Sequence, residues 1–363
     1  MSFKLPRYRQ PDFQSPYFLQ CPNVRWEEVQ QDGVAPANFH ATTIYPEYYK
    51  INGNWLLLCQ SRMDCAVALT ETGRLEAKEF RRLKTGDRII TGRSEDGSAG
   101  IYIHASGFAD AAEDAGVFAF RTGRSRETSY SRDYDRLYDL LRFEKEHGRI
   151  VWVLGPAVVF DSDSKKAMIA LIENGYAHAI LAGNALATHD LEGAVLNTAL
   201  GQDIYTQQSV PDGHYHHLDI LNMARRFSSL REFIQHYSID SSVMAACSQM
   251  QVPVVLAGSI RDDGPLPEVT ADVYQAQNAM RCHTRTATTM LCLATQLHSI
   301  AAGNMTPSYQ VMDGQVRPVY IYNVDISEFA VNKLRDRGTL EVTSIVTNIQ
   351  DFLVNLSRNL IGR

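Results

Sequence analysis

No low-complexity tract interrupts the 363 residues, and no apolar run is long enough to cross a bilayer: the longest, around 150–160 and 252–258, are about half the length a membrane helix needs. The N-terminus is polar and aromatic, without the hydrophobic centre of an export signal. A basic stripe is also missing. The 35 Lys and Arg are scattered among 41 Asp and Glu for a net charge of −6, so the electrostatic footprint of nucleic-acid binding is not present. Six cysteines, Cys21, Cys59, Cys65, Cys247, Cys282 and Cys292, stand at no CxxC or metal-finger spacing, which favours reduced thiols over a disulfide framework. Cys247 and Cys292 read as small buried hydrophobes in a helix and a strand. There is no HExxH, and no GxGxxG follows any apolar strand. These absences exclude membrane and nucleic acid as partners and point to a cytoplasmic protein acting on a small molecule.

What is present is a chain with 45% hydrophobic residues, long enough for a large domain plus a smaller one. Residues 1–30 are rich in Pro, Gln, Tyr and Phe without periodicity, and read as an arm that packs against something else. Residues 31–122 form short alternating segments separated by turn residues, and Asn52-Gly53 supplies the positive φ values of a two-residue hairpin turn. This is a small β-rich domain. Residues 123–363 form the main domain, entered by an amphipathic helix over Asp133–His147 with Gly148 as its stop. Continuous apolar strands then alternate with helical segments: Ile150–Leu154, Ala179–Leu181, Val252–Leu256, Thr289–Leu293, Val319–Tyr322 and Leu340–Val346. Runs of this kind are buried on both faces, so the expectation is an α/β fold with a parallel, doubly wound sheet whose strand ends bind ligand.

Residue types change abruptly where those strands stop. Gly155-Pro156 follows the first, Gly183-Asn184-Ala185 the second, and Gly258-Ser259-Ile260-Arg261-Asp262-Asp263-Gly264 the third; His298 and Gly303-Asn304 follow the fourth, and Asn323 and Asp325 the fifth. Three loops, Leu181–Asp190, Leu256–Pro267 and Leu297–Met305, are expected to build the site. Glycine directly after a strand lets backbone approach a pyrophosphate, and the N–H groups of the next helix supply an anion site. Asp325 has two readings on spacing alone, a ribose acceptor or a helix cap ahead of Glu328–Arg337. The run Gly213-His214-Tyr215-His216-His217 invites a metal, but three histidines in four residues cannot all reach one ion, so a proton-transfer or structural histidine is the reading taken. Adjacent Asp262 and Asp263 would repel one another unless one pairs with Arg261 and the other meets a cation such as an ammonium, the alternative being a salt-bridged surface loop.

Together the strings GPAVV (155–159), LAGNALATHDLE (181–192), GHYHH (213–217), LAGSIRDDGPLPEV (256–269) and LHSIAAGNM (297–305) resemble the archaeal NAD-dependent ornithine cyclodeaminases. The same domain ends the cyanobacterial arginine dihydrolase fusions and carries the LOR/SDH-associated label. NFHATTIYP (38–46), NGNW (52–55) and RMDCAVAL (62–69) extend the resemblance to residues 31–350. It implies a Rossmann-like domain after the small β-rich one, NAD as cofactor, and conversion of L-ornithine to L-proline and ammonia with no net redox change. Asp263 and Asp262 then suit the substrate ammonium groups, His217 or His298 the proton shuttle, and Asn184, Arg261, Arg62 and Asn38 the rest of the substrate. Gly155, Pro156, Ala157, Gly183, Asn184, Ala185, Gly258, Ser259, Gly303, Asn304 and Asp325 become the cofactor-binding candidates, with no metal. Family habit and the N-terminal arm together make a homo-oligomer the expectation. Two departures stand out: no extra N-terminal module or dihydrolase half accompanies this sequence, and the arginine-rich loop Arg121–Glu127 replaces a more glycine-rich segment, which leaves substrate choice open. An opine- or saccharopine-type dehydrogenase and a non-catalytic NAD-binding protein are the competing readings.

Overall fold

From residue 149 onward, strand–helix alternation produces a single six-stranded parallel sheet in the computed structural model, which describes residues 3–108, 130–327 and 340–362. The Arg121–Glu127 loop and the expected helix Glu328–Arg337 lie outside the described residues.

Ahead of that sheet, β1 (Arg25–Glu28), β2 (Glu47–Ile51), β3 (Asn54–Leu57), β4 (Ala66–Leu69), β5 (Leu75–Lys78), β6 (Arg88–Thr91) and β7 (Ile101–Ile103) form two small antiparallel sheets, ordered β1-β6-β4-β5 and β3-β2-β7. Asn52 and Gly53 both have positive φ, 49° and 83°, and Ile51 pairs with Asn54, as a two-residue hairpin turn demands. The first residues, including a short helix α1 (Pro16–Gln20), pack on this chain's own β2–β3 hairpin: the Tyr8 and Tyr48 hydroxyls are 2.9 Å apart, and the Phe13 ring stacks on Trp55 at 5.2 Å. Lys50 Nζ fixes the segment further by donating to the carbonyls of Phe18, Leu19 and Cys21.

Helix α2 (Tyr130–His147) places Leu137, Leu140, Leu141 and Glu144 on its buried side, the i, i+3, i+4, i+7 spacing of an amphipathic helix. There follow β8 (Ile150–Leu154), α3 (Ser162–Glu173), β9 (Ala179–Gly183), α4 (Asn184–Val195), the two-residue pair β10 (Thr198–Ala199) and β11 (Gln202–Asp203), α5 (Gly213–Ala224), α6 (Leu230–His236), α7 (Val243–Met250), β12 (Val254–Ala257), α8 (Val273–Thr284) and β13 (Thr289–Leu293). The chain continues through α9 (Gln296–Met305), a hairpin of β14 (Tyr309–Met312) and β15 (Gln315–Pro318), then β16 (Tyr320–Asp325), β17 (Glu341–Val346) and α10 (Ile349–Ile361).

The sheet order is β12-β9-β8-β13-β16-β17, all parallel. Numbered along the chain this is 3-2-1-4-5-6, the doubly wound Rossmann order, and winding reverses between β8 and β13. Alternate residues of each strand serve the two faces. Ile150, Trp152 and Leu154 face a core shared with α2, α3, α4, α7 and α10, while Val151 and Val153 face one shared with α8 and α9. Two expected strand-end loops are in fact helical: α4 starts at Asn184 with no loop after β9, and 297–305 is helix α9. Thr295 ends the extended chain and the alanine-rich segment after it packs Ala302 and Met305 onto the sheet, which explains the helix despite Ser299 and Gly303. Asn323 likewise lies inside β16, buried, and not in a loop.

Candidate active site

The reversal point lies where β8 and β13 part. Gly155 leaves β8 and its N–H donates to the Leu293 carbonyl of β13 at 2.8 Å, so the two strand exits stay joined for one more residue. A Cβ at Gly155 would run into the Ala294 carbonyl. Pro156 and Ala157 begin a short 3₁₀ turn, Pro156–Val159, and the Ala157 carbonyl accepts from Gln350 Nε2 at 3.0 Å. Gly183, at the end of β9, precedes α4 directly; a Cβ there would lie 2.8 Å from His298 Cε1. Gly258 closes β12 with its N–H on the Thr270 carbonyl at 2.8 Å, and Ala185 is half-buried in the first turn of α4. Three helical starts here, after Gly155, Gly183 and Thr295, have no side-chain cap, whereas Asp161 caps α3, Ser242 caps α7, Asp272 caps α8 and Asn348 caps α10. Backbone N–H groups at the reversal are therefore left for another acceptor.

His298 reaches over this edge from the first turn of α9, with Nδ1 3.4 Å from Thr295 Oγ1. Burial pushes its imidazole below the ordinary histidine value, the carboxylate of Asp262 works against that shift, and Arg261 adds to it. Asp262 is fixed by a tight turn in which its Oδ2 accepts the Ser259 N–H at 2.8 Å, while Ser259 Oγ accepts from the Arg261 N–H at 3.1 Å. Asp262 is half-buried; Arg261 and Asp263 are exposed. Asn184 sends Oδ1 to the Leu266 N–H at 3.0 Å, so it braces the acidic loop against the start of α4. Arg225, at the end of α5, comes over the same loop: a Cβ on Gly264 would lie 2.6 Å from Nη1. Nothing in the local sequence marks that arginine.

His217 belongs to a different cluster, inside α5 with its ring 6.3 Å from His189. His189 Nδ1 donates to Glu192 Oε2 at 2.7 Å, Thr198 Oγ1 donates to Glu192 Oε1 at 2.9 Å, and His216 Nδ1 pairs with Thr198 Oγ1 at 2.7 Å. Burial would raise the Glu192 carboxyl, but the bonds from His189, Thr198 and Gly201 outweigh it and hold the group below the ordinary range. His214 is exposed. Among the described residues, no group of three or more His, Cys, Asp or Glu is placed to hold a metal ion.

The remaining candidates are dispersed. Arg62 is buried against Glu79, and Gly303 and Asn304 line the same hollow from the end of α9 opposite His298. Asn38, exposed with φ 58°, lines a separate hollow on the β-rich region with Arg25, Thr91 and Arg93. Asp325 ends β16 with Oδ1 accepting the Ser327 N–H at 2.9 Å. Thus His298, Asp262, Arg261, Gly183 and Asn184 come together, and His217, Arg62, Asn38 and Asn304 stand elsewhere. Among the described residues no helix is long and apolar enough to cross a membrane.

Comparison with known proteins gives this geometry a context. The family described as "Arginine dihydrolase ArgZ-like, C-terminal, Rossmann fold" matches residues 137–356, and its companion, the C-terminal first region, matches 46–128. An ornithine cyclodeaminase of Methanopyrus kandleri is 36% identical over 339 residues, covering 93% of this chain and 78% of that protein. A crystal structure of a LOR/SDH protein from Methanococcus maripaludis superposes with a TM-score of 0.82 at 33% identity, over 93% of this chain and 98% of the other. The ternary complex of AgrE with ornithine and NAD⁺ matches at TM-score 0.59 and 35% identity, over 95% of this chain and 46% of AgrE. With a Rossmann-fold family matching more than half of its length and a 36% identical relative aligned along most of both chains, this protein belongs to the family of the archaeal ornithine cyclodeaminases and the ArgZ-like C-terminal region.

Proposed function

We propose that the protein is an NAD-dependent ornithine cyclodeaminase, converting L-ornithine to L-proline and ammonia at the strand-end edge. The observation that carries this reading is the convergence of His298 and Asp262 over Gly183 beside the winding reversal. Relatives that bear the activity in their names, and AgrE, whose complex contains ornithine and NAD⁺, support it. The residues present fit a dinucleotide: a Cβ at Gly155 would meet the Ala294 carbonyl, so backbone is kept bare there, and the Ala157 N–H and the uncapped N–H groups after Gly183 suit a pyrophosphate. When bound, NAD⁺ supplies oxidation at the substrate Cα and reduction of the later cyclic imine, so no redox equivalent is consumed.

This chain's side chains would do the rest. A neutral imidazole at His298, kept so by burial, takes a proton from a substrate ammonium, which frees the amine for oxidation or ring closure. Asp262 stabilises the imidazolium that results and, with Asp263, offers negative charge to the second ammonium; Arg261 offers a guanidinium to the carboxylate. On this reading the protein serves amino-acid metabolism in the cytoplasm. Purified protein given L-ornithine and catalytic NAD⁺ is expected to form proline and ammonia in equal amounts without net NADH. Stoichiometric NADH would instead identify an opine-type dehydrogenase, and no reaction would refute the proposal.

A further inference from the structure

Away from the strand ends, a cavity of about 250 Å³ lies between the β-rich region and helices α8 and α9. Its wall is dominated by guanidinium groups. Arg62 and Arg281 are 3% and 4% exposed, and both turn to one carboxylate, Glu79: Oε1 is 2.8 Å from Arg281 Nε and in contact with Arg62 Nη2. Arg82 Nε approaches the other oxygen of Glu79 at 3.9 Å. Arg81, also in the lining, is engaged outside the cavity by Asn278 Oδ1 at 3.1 Å and the Tyr274 ring at 4.8 Å.

One carboxylate therefore answers for several cations. Arg281 is pushed down to about 9, first by burial and then by Arg62, Arg81, Arg82 and Arg285. Among the described residues Arg281 Nη1 has no hydrogen-bond partner, while Arg62 Nη2 and Arg281 Nε share the single acceptor Glu79 Oε1. Burying a guanidinium N–H without an acceptor is costly, and a second anion in the cavity would relieve both the repulsion and the missing bond. A guanidinium fork suits a carboxylate or a phosphate equally well. The rest of the lining separates them: it includes Asp64, Gln277 and Asn304 together with the apolar Met63, Ala301 and Met305. A carboxylate wall residue repels a phosphate dianion and attracts an ammonium.

We propose that this cavity is a binding site for a free α-amino acid, its carboxylate received by Arg62 and Arg281 and its ammonium directed to Asp64 and Asn304. The inference does not rest on the cyclodeaminase reaction, because binding is measured without NAD⁺ or turnover. Calorimetric titration of the full chain with L-ornithine, L-arginine and L-proline is expected to show binding of at least one, absent for its methyl ester. Affinity should fall about tenfold or more in Arg62→Gln and Arg281→Gln, as loss of a charged hydrogen bond predicts. Asp64→Asn, at an exposed position whose φ of 62° Asn also adopts, should also weaken it severalfold. The proposal is overturned if none of the amino acids binds, if binding is the same in all three variants, if inorganic phosphate binds in their place, or if His298→Asn abolishes binding that the arginine variants retain.

Discussion

His298 owes its chemistry to where α9 begins. One turn further along the helix Ala302 packs on the sheet; at the first turn His298 lies over Gly183, where burial favours the neutral ring and Asp262 favours the charged one. Replacing it by Asn is expected to lower kcat about 100-fold or more, the usual worth of a positioned acid–base group, while dinucleotide affinity measured by fluorescence titration stays within about twofold. The pH profile gives a finer test. Since the folded ring is depressed, the acidic limb of kcat/KM should fall below pH 6.5, the ordinary histidine value. In Asp262→Asn the limb should move lower still, because the one charge that stabilises the imidazolium is gone, while Asn can still accept the Ser259 N–H. A limb that stays in place would separate the two residues.

At the scale of elements, the two glycines at the strand exits should respond differently to one methyl group. In Gly155→Ala the new Cβ meets the backbone carbonyl of Ala294, which cannot yield without parting β8 from β13. A loss of about 1–3 kcal/mol in denaturant unfolding is expected, as for overpacking in a rigid core. In Gly183→Ala the obstacle is the His298 ring, which can rotate, so stability should change little and kcat should drop. Asn184→Ala removes the acceptor of the Leu266 N–H, and hydrogen exchange at Leu266 should quicken by about the factor that a 1 kcal/mol bond protects.

These elements also mark what the sequence made legible. β8 and β13 run from Ile150–Leu154 and Thr289–Leu293 as expected, because strands buried on both faces leave uninterrupted apolar runs with sharp ends. The acidic turn at 259–263 was visible from its composition. Helices α4 and α9 were mistaken for loops because polar and small residues at their N-terminal turns look like turn chemistry, and only packing on the sheet decides otherwise. Arg62 and Glu79 lie between the strands of the β-rich region and Arg281 far along the chain in α8, with no period or motif linking them, so their meeting was invisible before the fold. The histidine run is the opposite case: its local density was visible in the sequence, but not that His216 is tied through Thr198 to buried Glu192.

For the whole molecule, acid should be destabilising through histidine before it acts on carboxylates. His178, His283 and His298 are all shifted below 6.5, burial being the largest cause in each, with Arg149 next for the first two. His178 Nδ1 accepts the Ile150 N–H at 2.8 Å at the start of β8, and His283 Nδ1 accepts from Arg149 Nη2 at 3.2 Å, so protonation breaks both bonds. A depressed folded value means the unfolded chain binds protons first; the stability is complete above the unfolded value and is lost as pH falls through it toward the folded one. Thermal unfolding should therefore show Tm declining from pH 7 to pH 5, with a shallower decline in His178→Asn. The central claim, that the strand-end edge carries out a self-contained cyclodeamination, is tested most directly with L-ornithine bearing deuterium at Cα and a trace of NAD⁺. The account predicts proline that retains the deuterium at Cα, with ammonia released and no net NADH; proline without the label, or NADH accumulating with product, would contradict it.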